Sequence, residues 1–344
     1  MKILGIETSC DECAAAVVED GRQVLSNVVA TQIPIHAPYN GVVPEIASRM
    51  HTEWIGPVVQ EALEKAGDGV DGVAVSSRPG LLGSLLVGLS FAKAFAWARG
   101  LPFIAVDHML AHLYASRLSP AGEDPPAYPF LGLLVSGGHS IICRVDNFDC
   151  ITVMGTTVDD AAGEAFDKVS KYFGFGYPGG TAIDKLARTG DSGAFRFPIP
   201  SLHKSGRRYD VSYSGLKNAV INQREQFRVK ANPGDADIAA SFQKTAVEIL
   251  LRSLFRAAED TGLTTIVAGG GVAANSLLRS RLAERAAPGK GFQQFRCIFP
   301  PPEFCGDNGA MVAGLGYRFL ERGDRSPLNV TASARVQGFR HLPR

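Results

Sequence analysis

Two stretches of the chain show the same alternation of short apolar runs and polar turns. In each stretch an apolar strand is followed by a polar turn, a returning strand, a second turn and a third strand. The predicted strands span residues 3–6, 13–18, 24–31, 130–135, 141–145 and 150–154. Leu4 aligns with Leu131 and Asp20 aligns with Asn147, at a constant offset of 127 positions. This pattern predicts a duplicated three-stranded β-meander, with chance similarity of two meanders as the alternative.

The segments between and after the meanders have apolar positions at helical spacing, interrupted by a few short strands. Helices are predicted over residues 44–66, 83–99, 107–116, 159–173, 181–188, 216–230, 235–261, 274–286 and 309–322. Further strands are predicted over residues 71–77, 101–106, 264–268 and 295–299. The alternation indicates an α/β protein of two similar lobes, with an interlobe cleft that the first hairpin turn of each lobe would face.

The boundary between the lobes is predicted from a proline-rich segment. Residues 120–129 contain four prolines, which interrupt both helices and central strands. We expect lobe I over residues 1–125 and 306–330, lobe II over residues 126–305, and an irregular basic tail over residues 331–344. A chain of 344 residues accommodates two domains of ordinary size.

Composition excludes several classes of protein. Hydrophobic residues make up 45% of the chain and charged residues 20%, which indicates a packed globular protein. The net charge is +1, so a nucleic-acid partner would have to meet a local basic patch. The six cysteines form no disulfide framework, and we expect reduced thiols in a cytoplasmic protein. We find no signal peptide, and the longest apolar helix, over residues 85–98, is too short to span a bilayer, so we expect no membrane partner.

Two histidines four residues apart suggest a metal site. His108 and His112 follow a predicted strand on a helix that Asp107 would cap, so both imidazoles would lie on one helix face. A third ligand is available in Asp307, if the final helix packs back on the first lobe. Two imidazoles and one carboxylate suit iron(II) or zinc(II). The alternatives are ordinary histidines on a partly buried helix and an Asp307 that only caps the final helix.

Glycine-rich turns and an acidic turn are further candidates. The turn over residues 135–139 and the Gly269-Gly270-Gly271 bend before a helix would let backbone amides bind an anion or a nucleotide. The alternative is that these glycines only permit tight turns. Glu7, Asp11 and Glu12 crowd the first hairpin turn, whereas most carboxylates are solvated or cap helices. Asp11 and Glu12 are the better candidates for a general base, because the turn should face the cleft.

Eight motifs occur in one order along the chain. They are Glu7-Thr8-Ser9-Cys10-Asp11-Glu12, His108-x-x-x-His112, Val135-Ser136-Gly137-Gly138-His139, Gly163-Glu164-Ala165-Phe166-Asp167-Lys168, Tyr177-Pro178-Gly179-Gly180, Tyr213-Ser214-Gly215-Leu216-Lys217, Gly269-Gly270-Gly271-Val272-Ala273-Ala274-Asn275 and Asp307-Asn308-Gly309-Ala310-Met311. Together they resemble the bacterial TsaD family of tRNA threonylcarbamoyladenosine transferases. The resemblance covers nearly the whole chain, to about residue 329.

This resemblance implies a two-lobe fold like that of actin, the sugar kinases and Hsp70. It implies transfer of a threonylcarbamoyl group from threonylcarbamoyl-AMP to the exocyclic amine of the adenosine 3′ to the anticodon, in tRNAs reading codons that begin with A, with release of AMP. It places one divalent metal ion, iron(II) in preference to zinc(II), on His108, His112 and Asp307. It also implies a TsaB-like paralogous subunit and a TsaE-like ATPase as partners. The implied nucleotide and acyl-group contacts are Leu134, Val135, Ser136, Gly137, Gly138, Asp167, Gly180, Asp184 and Asn275.

A basic stretch offers a candidate tRNA contact. Lys204, Arg207 and Arg208 could bind phosphate, and the interleaved Tyr209 and Tyr213 could stack on an anticodon-loop base. A solvated loop is the alternative.

Three other functions compete with transfer to tRNA. A zinc metalloprotease would need a glutamate after the first histidine, where this chain has Met109. A sugar kinase or ATPase would not need the histidine pair. A non-catalytic scaffold would have little use for the histidines together with Asp307 and the glycine turns.

Overall fold

The computed structural model describes residues 1–67, 69–118, 125–202, 207–222, 234–286, 294–335 and 339–341. The chain divides into two compact units. Unit 1 comprises Met1–Pro126 and Pro300–Phe339, and unit 2 comprises Ala127–Phe299 and Arg340–Arg344.

The described elements alternate between strands and helices along the chain. The strands are β1 (Lys2–Glu7), β2 (Glu12–Glu19), β3 (Gln23–Thr31), β4 (Gly72–Arg78), β5 (Phe103–Asp107), β6 (Phe130–Val135), β7 (Ser140–Asn147), β8 (Cys150–Thr156), β9 (Thr265–Gly269), β10 (Arg296–Ile298) and β11 (Arg340–His341). The α-helices are α1 (Ile33–His36), α2 (Pro44–Ala66), α3 (Leu82–Ala98), α4 (His108–Tyr114), α5 (Ala162–Phe173), α6 (Gly179–Ala187), α7 (Ser214–Asn222), α8 (Asp235–Thr261), α9 (Ser276–Ala286) and α10 (Gly309–Arg322).

Unit 1 is a five-stranded sheet with helices packed on it. Its strand order is β3-β2-β1-β4-β5, with an antiparallel meander from β1 to β3 and parallel pairing of β1, β4 and β5. Helices α2 and α3 contact the sheet, and α10 crosses β1, β2 and β4. A Cβ on Gly5 would lie 2.3 Å from the carbonyl oxygen of Gly309, so α10 rests directly on the backbone of β1. This contact places Asp307 and Asn308, which precede α10, close to the end of β1.

Unit 2 repeats the sheet of unit 1. Its order β8-β7-β6-β9-β10 matches β3-β2-β1-β4-β5, with β11 added at β8. Leu4 pairs with Val17, and Leu131 pairs with Arg144, so both partners are shifted by the same 127 positions. The predicted duplicated meander is therefore confirmed, and the duplication extends to the parallel strands that follow it.

Several predicted bounds differ from the structure. The helix predicted from residue 159 begins at Ala162, because Asp159 and Asp160 lie in the preceding loop. The helix predicted from residue 274 is a 3-10 turn followed by α9, because Asn275 caps α9. The tail was expected to be irregular, but Arg340 and His341 form β11 on the edge of β8. Residues 223–230, predicted as helical, lie outside the described residues.

Helix α3 carries exposed large apolar side chains near both of its ends. Leu82 and Leu86 are 49% and 47% exposed near its start, and Trp97 is 75% exposed near its end. Among helices in the described part of the chain, none has both the length and the hydrophobicity needed to cross a lipid bilayer.

Candidate metal centre and substrate site

The histidine pair lies on a short capped helix at the end of β5. The Asp107 carboxylate accepts hydrogen bonds from the amides of Met109 (2.9 Å) and Leu110 (3.3 Å) and so caps α4, as predicted. His108 and His112 are one turn apart on this helix, their ring centroids are 4.5 Å apart, and both side chains are buried. The cap and the strand end thus fix two imidazoles on one face.

Asp307 lies beside the two imidazoles. Its Oδ1 is 3.1 Å from Nε2 of His112 and 3.6 Å from Nε2 of His108. The reading of Asp307 as the cap of the final helix is wrong, because Asn308 caps α10 by accepting a hydrogen bond from Met311 N (3.0 Å). One ligand atom from each of the three residues lies within 4.8 Å of the others.

The donor set fits a metal ion. Ligand atoms bound at about 2.1 Å in tetrahedral geometry lie about 3.4 Å apart, close to the two measured separations. Neither ring nitrogen of the buried His112 makes a hydrogen bond with any residue that the structure describes. A buried polar nitrogen without a partner is unfavourable, and a cation between His108, His112 and Asp307 would supply the missing interaction.

Glu7 contacts His108 at the ring nitrogen that does not face Asp307. This fully buried carboxylate ends β1, and its Oε2 accepts hydrogen bonds from Nδ1 of His108 (2.9 Å) and from the Ser76 hydroxyl. Burial alone lowers the pKa of His108, but the charges of Glu7 and Asp307 outweigh it and raise that pKa to about 9. Burial raises the pKa of Glu7, but His108 outweighs it, so the pKa of this carboxyl is lowered. The field of the site therefore favours a positive charge.

The acidic turn after β1 is held rigidly. Three successive carbonyl groups of the turn accept hydrogen bonds from three different parts of unit 1. The pairs are Ser9 O with Leu81 N (2.8 Å), Cys10 O with His51 Nε2 (2.9 Å) and Asp11 O with Gln32 N (3.1 Å). Asp11 is buried and Glu12 is half-buried. Burial, with the neighbouring charges of Asp307 and Asp11, raises the pKa of Glu12 to about 9.

In unit 2 the first hairpin turn presents its backbone amides. The carbonyls of Ser136 and Gly137 accept hydrogen bonds from the first amides of α5, at Gly163 (3.2 Å) and Glu164 (3.1 Å). The amides of Gly137 and Gly138 donate to none of the described residues, and a Cβ at either glycine would meet nothing within 4 Å. The turn thus has two amides that a ligand oxygen could reach.

Leu134 and Val135, also predicted as contacts, are buried on β6. Only their backbone groups could meet a ligand, and Leu134 pairs with Ile141 in the sheet. Gly270 has φ +90°, and a Cβ there would lie 2.4 Å from the Val135 carbonyl oxygen. The interpretation of the glycine bend as a structural turn therefore holds at Gly270, whereas Gly271 faces open space.

The remaining predicted contacts of unit 2 already have structural partners. The Asp167 carboxylate accepts a hydrogen bond from Gly179 N (2.7 Å) at the start of α6. Asp184 Oδ1 accepts hydrogen bonds from Ser276 N (3.0 Å) and its hydroxyl (2.7 Å) and from Gln243 Nε2 (3.0 Å). These two carboxylates therefore join helices α5, α6, α8 and α9 to one another within unit 2.

Asn275 and Gly180 occupy helix N-termini. The side-chain oxygen of Asn275 accepts a hydrogen bond from Leu278 N (3.0 Å) and caps α9. Gly180 is in the first turn of α6, and a Cβ there would meet nothing within 4 Å. Both positions lie where helix amides attract negatively charged groups.

The candidate tRNA-binding residues differ in their exposure and in their hydrogen-bond partners. Lys204 lies outside the described residues, and Arg207 is exposed. Arg208 is paired with Asp260 through Nε (2.6 Å) and Nη2 (2.7 Å), and these hydrogen bonds lower the pKa of Asp260 to about 2. The proposal that Tyr213 stacks on a base is wrong, because its ring is fully buried and its hydroxyl donates to Ala246 O (3.2 Å).

Sequence reasoning missed the role of Glu7 and did not single out Ser76. Glu7 was seen only as one of several acids in a turn. The available signal was a carboxylate directly after the buried run of β1, because a charge at such a position needs partners. Ser76 gave no comparable signal, since a serine in a strand is ordinary.

Comparison with known proteins adds a family. The profile of the family described as "TsaD: tRNA N6-adenosine threonylcarbamoyltransferase" matches residues 23–314. A protein of Treponema denticola named tRNA N6-adenosine threonylcarbamoyltransferase is 64% identical over 343 residues, covering 98% of each chain. One of the same name from Borreliella burgdorferi strain ZS7 is 46% identical over 345 residues, covering 99% of this chain and 96% of the relative.

Solved structures show the fold. Component A of (R)-2-hydroxyglutaryl-CoA dehydratase from Acidaminococcus fermentans has a TM-score of 0.54 at 15% identity, with 92% of this chain and 98% of that chain covered. Full-length HypF in its phosphate- and nucleotide-bound form has a TM-score of 0.59 at 16% identity, with 93% of this chain and 56% of that chain covered. These similarities confirm the two-lobe α/β fold predicted from the sequence.

Proposed function

Because the chain belongs to the TsaD family of tRNA N6-adenosine threonylcarbamoyltransferases, we propose the donor, the metal and the residues with which it carries out this transfer. The family's reaction attaches a threonylcarbamoyl group to N6 of adenosine in tRNA. We infer that the donor is threonylcarbamoyl-AMP and the acceptor the adenosine 3′ to the anticodon. This assignment displaces the protease, sugar-kinase and scaffold alternatives.

The convergence of His108, His112 and Asp307 is the observation that carries the proposal. These residues would hold one divalent ion, iron(II) in preference to zinc(II), with positions left for substrate. When bound, the ion supplies positive charge that stabilises negative charge developing on donor oxygens. The support is the buried His112, whose Nε2 lies 3.1 Å from Asp307 Oδ1 without forming a hydrogen bond, and the carboxylates that raise the pKa of His108.

The open turn of unit 2 would bind donor oxygens. The amides of Gly137 and Gly138 suit a phosphate or a carbonyl oxygen that gains charge in the reaction. Asp167, Gly180, Asp184 and Asn275 would act mainly by holding helix N-termini toward the nucleotide, since three of them already bond the backbone there. Leu134, Val135 and Ser136 would shape the turn.

The chemical step needs a proton acceptor. The adenine amine is a weak nucleophile because its lone pair is delocalised into the ring, so the donor must be activated and held in line. N6 attacks the carbamoyl carbon, the bond from that carbon to the phosphate oxygen breaks, and AMP leaves. The amine loses one proton, for which we infer Asp11 as the acceptor, because Glu12, with its pKa raised to about 9, already holds a proton near neutral pH. Asp11 is supported by its burial on a turn with three anchored carbonyls.

We also propose a cytoplasmic enzyme that works with a TsaB-like subunit and a TsaE-like ATPase. The exposed Leu82 and Leu86, one turn apart on α3, support association with a protein, since adjacent exposed leucines are unfavourable in water. Arg207 would contribute to the tRNA surface, and Arg208 less so because Asp260 neutralises it.

Incubation with threonylcarbamoyl-AMP, both partner proteins and unmodified tRNA tests the function. Digestion and nucleoside analysis should show threonylcarbamoyladenosine, and each omission of tRNA or donor should abolish it. A parallel incubation of ATP with a panel of sugars should give no phosphorylated sugar. Absence of the modified nucleoside under complete conditions would contradict the proposal.

A further inference from the structure

Glu7 is the most deeply buried acid among the described residues of unit 1, and each of its oxygens accepts a hydrogen bond. It is fully buried at the end of β1, where an unpaired carboxylate would be strongly unfavourable. Oε1 accepts a hydrogen bond from Ser9 N at 2.6 Å. Oε2 accepts from the Ser76 hydroxyl on β4 and from Nδ1 of His108 at 2.9 Å. The carboxylate therefore connects β1, β4 and α4 through three hydrogen bonds.

This arrangement determines which ring nitrogen of His108 carries a proton. An ionised carboxylate only accepts hydrogen bonds, so Nδ1 must be the donor toward Glu7. The Ser9 hydroxyl, 3.1 Å from the same Nδ1, is in position as a second acceptor. In the neutral imidazole Nε2 then carries the lone pair, and Nε2 is the nitrogen that faces Asp307.

The two histidines differ in this respect. His108 has a carboxylate at Nδ1, whereas neither nitrogen of His112 has a hydrogen-bond partner among the described residues. A ligand whose tautomer and ring orientation are fixed loses less freedom on binding a metal. The hydrogen bond to Glu7 thus acts on His108 only. Its effect on metal binding can therefore be separated from the contribution of His112.

We propose that Glu7, itself oriented by Ser76, is the positioning residue of the metal centre, fixing His108 with its Nε2 lone pair toward the ion. This inference rests on the metal centre proposed above and adds the residues that set its affinity. Carboxylate partners of metal-bound histidines change affinity by about 10- to 100-fold in metal sites generally.

Replacement of Glu7 by glutamine exposes the mechanism because no orientation of the amide satisfies all three donors. With its oxygen toward His108, the amide NH2 faces the N–H of Ser9, and two donors oppose each other. With its NH2 toward His108, the amide requires Nδ1 to accept, which moves the proton to Nε2 and blocks the lone pair. Either orientation disturbs the ligand without changing side-chain volume.

The test measures metal binding directly. The purified chain is titrated with cobalt(II) and, separately, with zinc(II) in competition with a chromophoric chelator, and the cobalt absorption bands are recorded at saturation. Glu7→Gln should bind each ion about 10- to 100-fold more weakly than the unmodified protein and give altered cobalt bands. The metal affinity of Ser76→Ala should lie between the affinities of Glu7→Gln and of the unmodified protein. Glu61→Gln, in an exposed i,i+4 pair with Lys65, is the matched control and should be unchanged.

The outcomes separate the two proposals. If the unmodified protein binds neither ion, the metal centre itself fails, and the role of Glu7 fails with it. Unchanged affinity and unchanged cobalt bands in Glu7→Gln, with tight binding by the unmodified protein, would refute the role of Glu7 and leave the metal centre standing. Should Glu7→Gln not fold, Ser76→Ala decides, because wild-type affinity in that variant overturns the inference.

Discussion

The two units share a sheet topology and a pairing register but use the first hairpin turn in opposite ways. In unit 1 the turn after β1 is largely buried, its carbonyls are bonded from three sides, and a carboxylate at its start holds a histidine. In unit 2 the turn after β6 exposes Gly137 and Gly138, whose amides point to no described acceptor. The same sheet topology thus supports a rigid charged centre in unit 1 and an open turn with accessible backbone amides in unit 2. Chemistry differs between the units because side chains at the turn differ while strand pairing does not.

Loss of the third proposed metal ligand should have the largest effect of the changes considered, and it acts on the charged centre of unit 1. Asp307→Ala removes the only carboxylate of the three-residue donor set, so metal content should fall to background and transfer to tRNA should fall below detection. Metal analysis of the purified variant and nucleoside analysis of its product measure both. Asp324→Ala, at a half-buried aspartate after α10, should keep both properties. Full metal content in Asp307→Ala would remove Asp307 from the donor set.

Asp11→Ala should lower turnover by about 100- to 10,000-fold, the range for loss of a general base. Donor binding should persist, because the role proposed for Asp11 is proton transfer. Single-turnover transfer rates and donor titration separate the two quantities. Unchanged turnover would exclude Asp11 as the proton acceptor.

The glycines of the two units should differ in their tolerance of alanine. Gly5→Ala places a Cβ against the backbone of α10 and should lower the free energy of unfolding by about 1–3 kcal/mol. Gly138→Ala meets open space and should change it by no more than about 0.5 kcal/mol. Chemical denaturation of both variants checks this, and equal losses would contradict an open turn in unit 2.

A bulkier residue at the open turn should produce the smallest effect. Gly138→Val shields an amide proposed to bind a donor oxygen, and loss of one hydrogen bond to a charged group should raise the donor Kd about tenfold. Gly215→Val on α7, which also faces open space, is the control for a general effect of valine. Titration with a non-reactive donor analogue measures the Kd, and an unchanged value would exclude the amide from the donor site.

Much of the architecture follows from local sequence. The helices over residues 44–66, 235–261 and 309–322 were predicted with the bounds that the structure has, because proline, aspartate, glycine and arginine mark their ends. The duplicated meander followed from period-two patterning. The convergence of His108, His112 and Asp307 could be suggested because helical spacing fixes the first two, and the expected packing of the final helix on the first lobe, together with the family resemblance, supplied the third.

Other features depend on contacts that local patterns do not encode. Glu7 and Ser76 are 69 residues apart, and Glu7 and His108 are 101 apart, so their hydrogen bonds arise only from strand order. Asp307 and Asn308 are both good capping residues, and only the backbone geometry selects Asn308. Tyr213 lies in a polar stretch and was expected at the surface, but Asp159 accepts a hydrogen bond from its amide and the ring enters the core.

The backbone contact of Gly5 with Gly309 has a consequence for how the metal centre tolerates error. β1 ends in the carboxylate that orients a histidine, and α10 follows the carboxylate that would bind the ion. Between Gly5 and Gly309 no side chain intervenes, so the spacing of the two elements at this contact is defined by main-chain atoms. Packed interfaces usually relieve a steric clash by changing side-chain rotamers. At this contact of two glycines no such change is available.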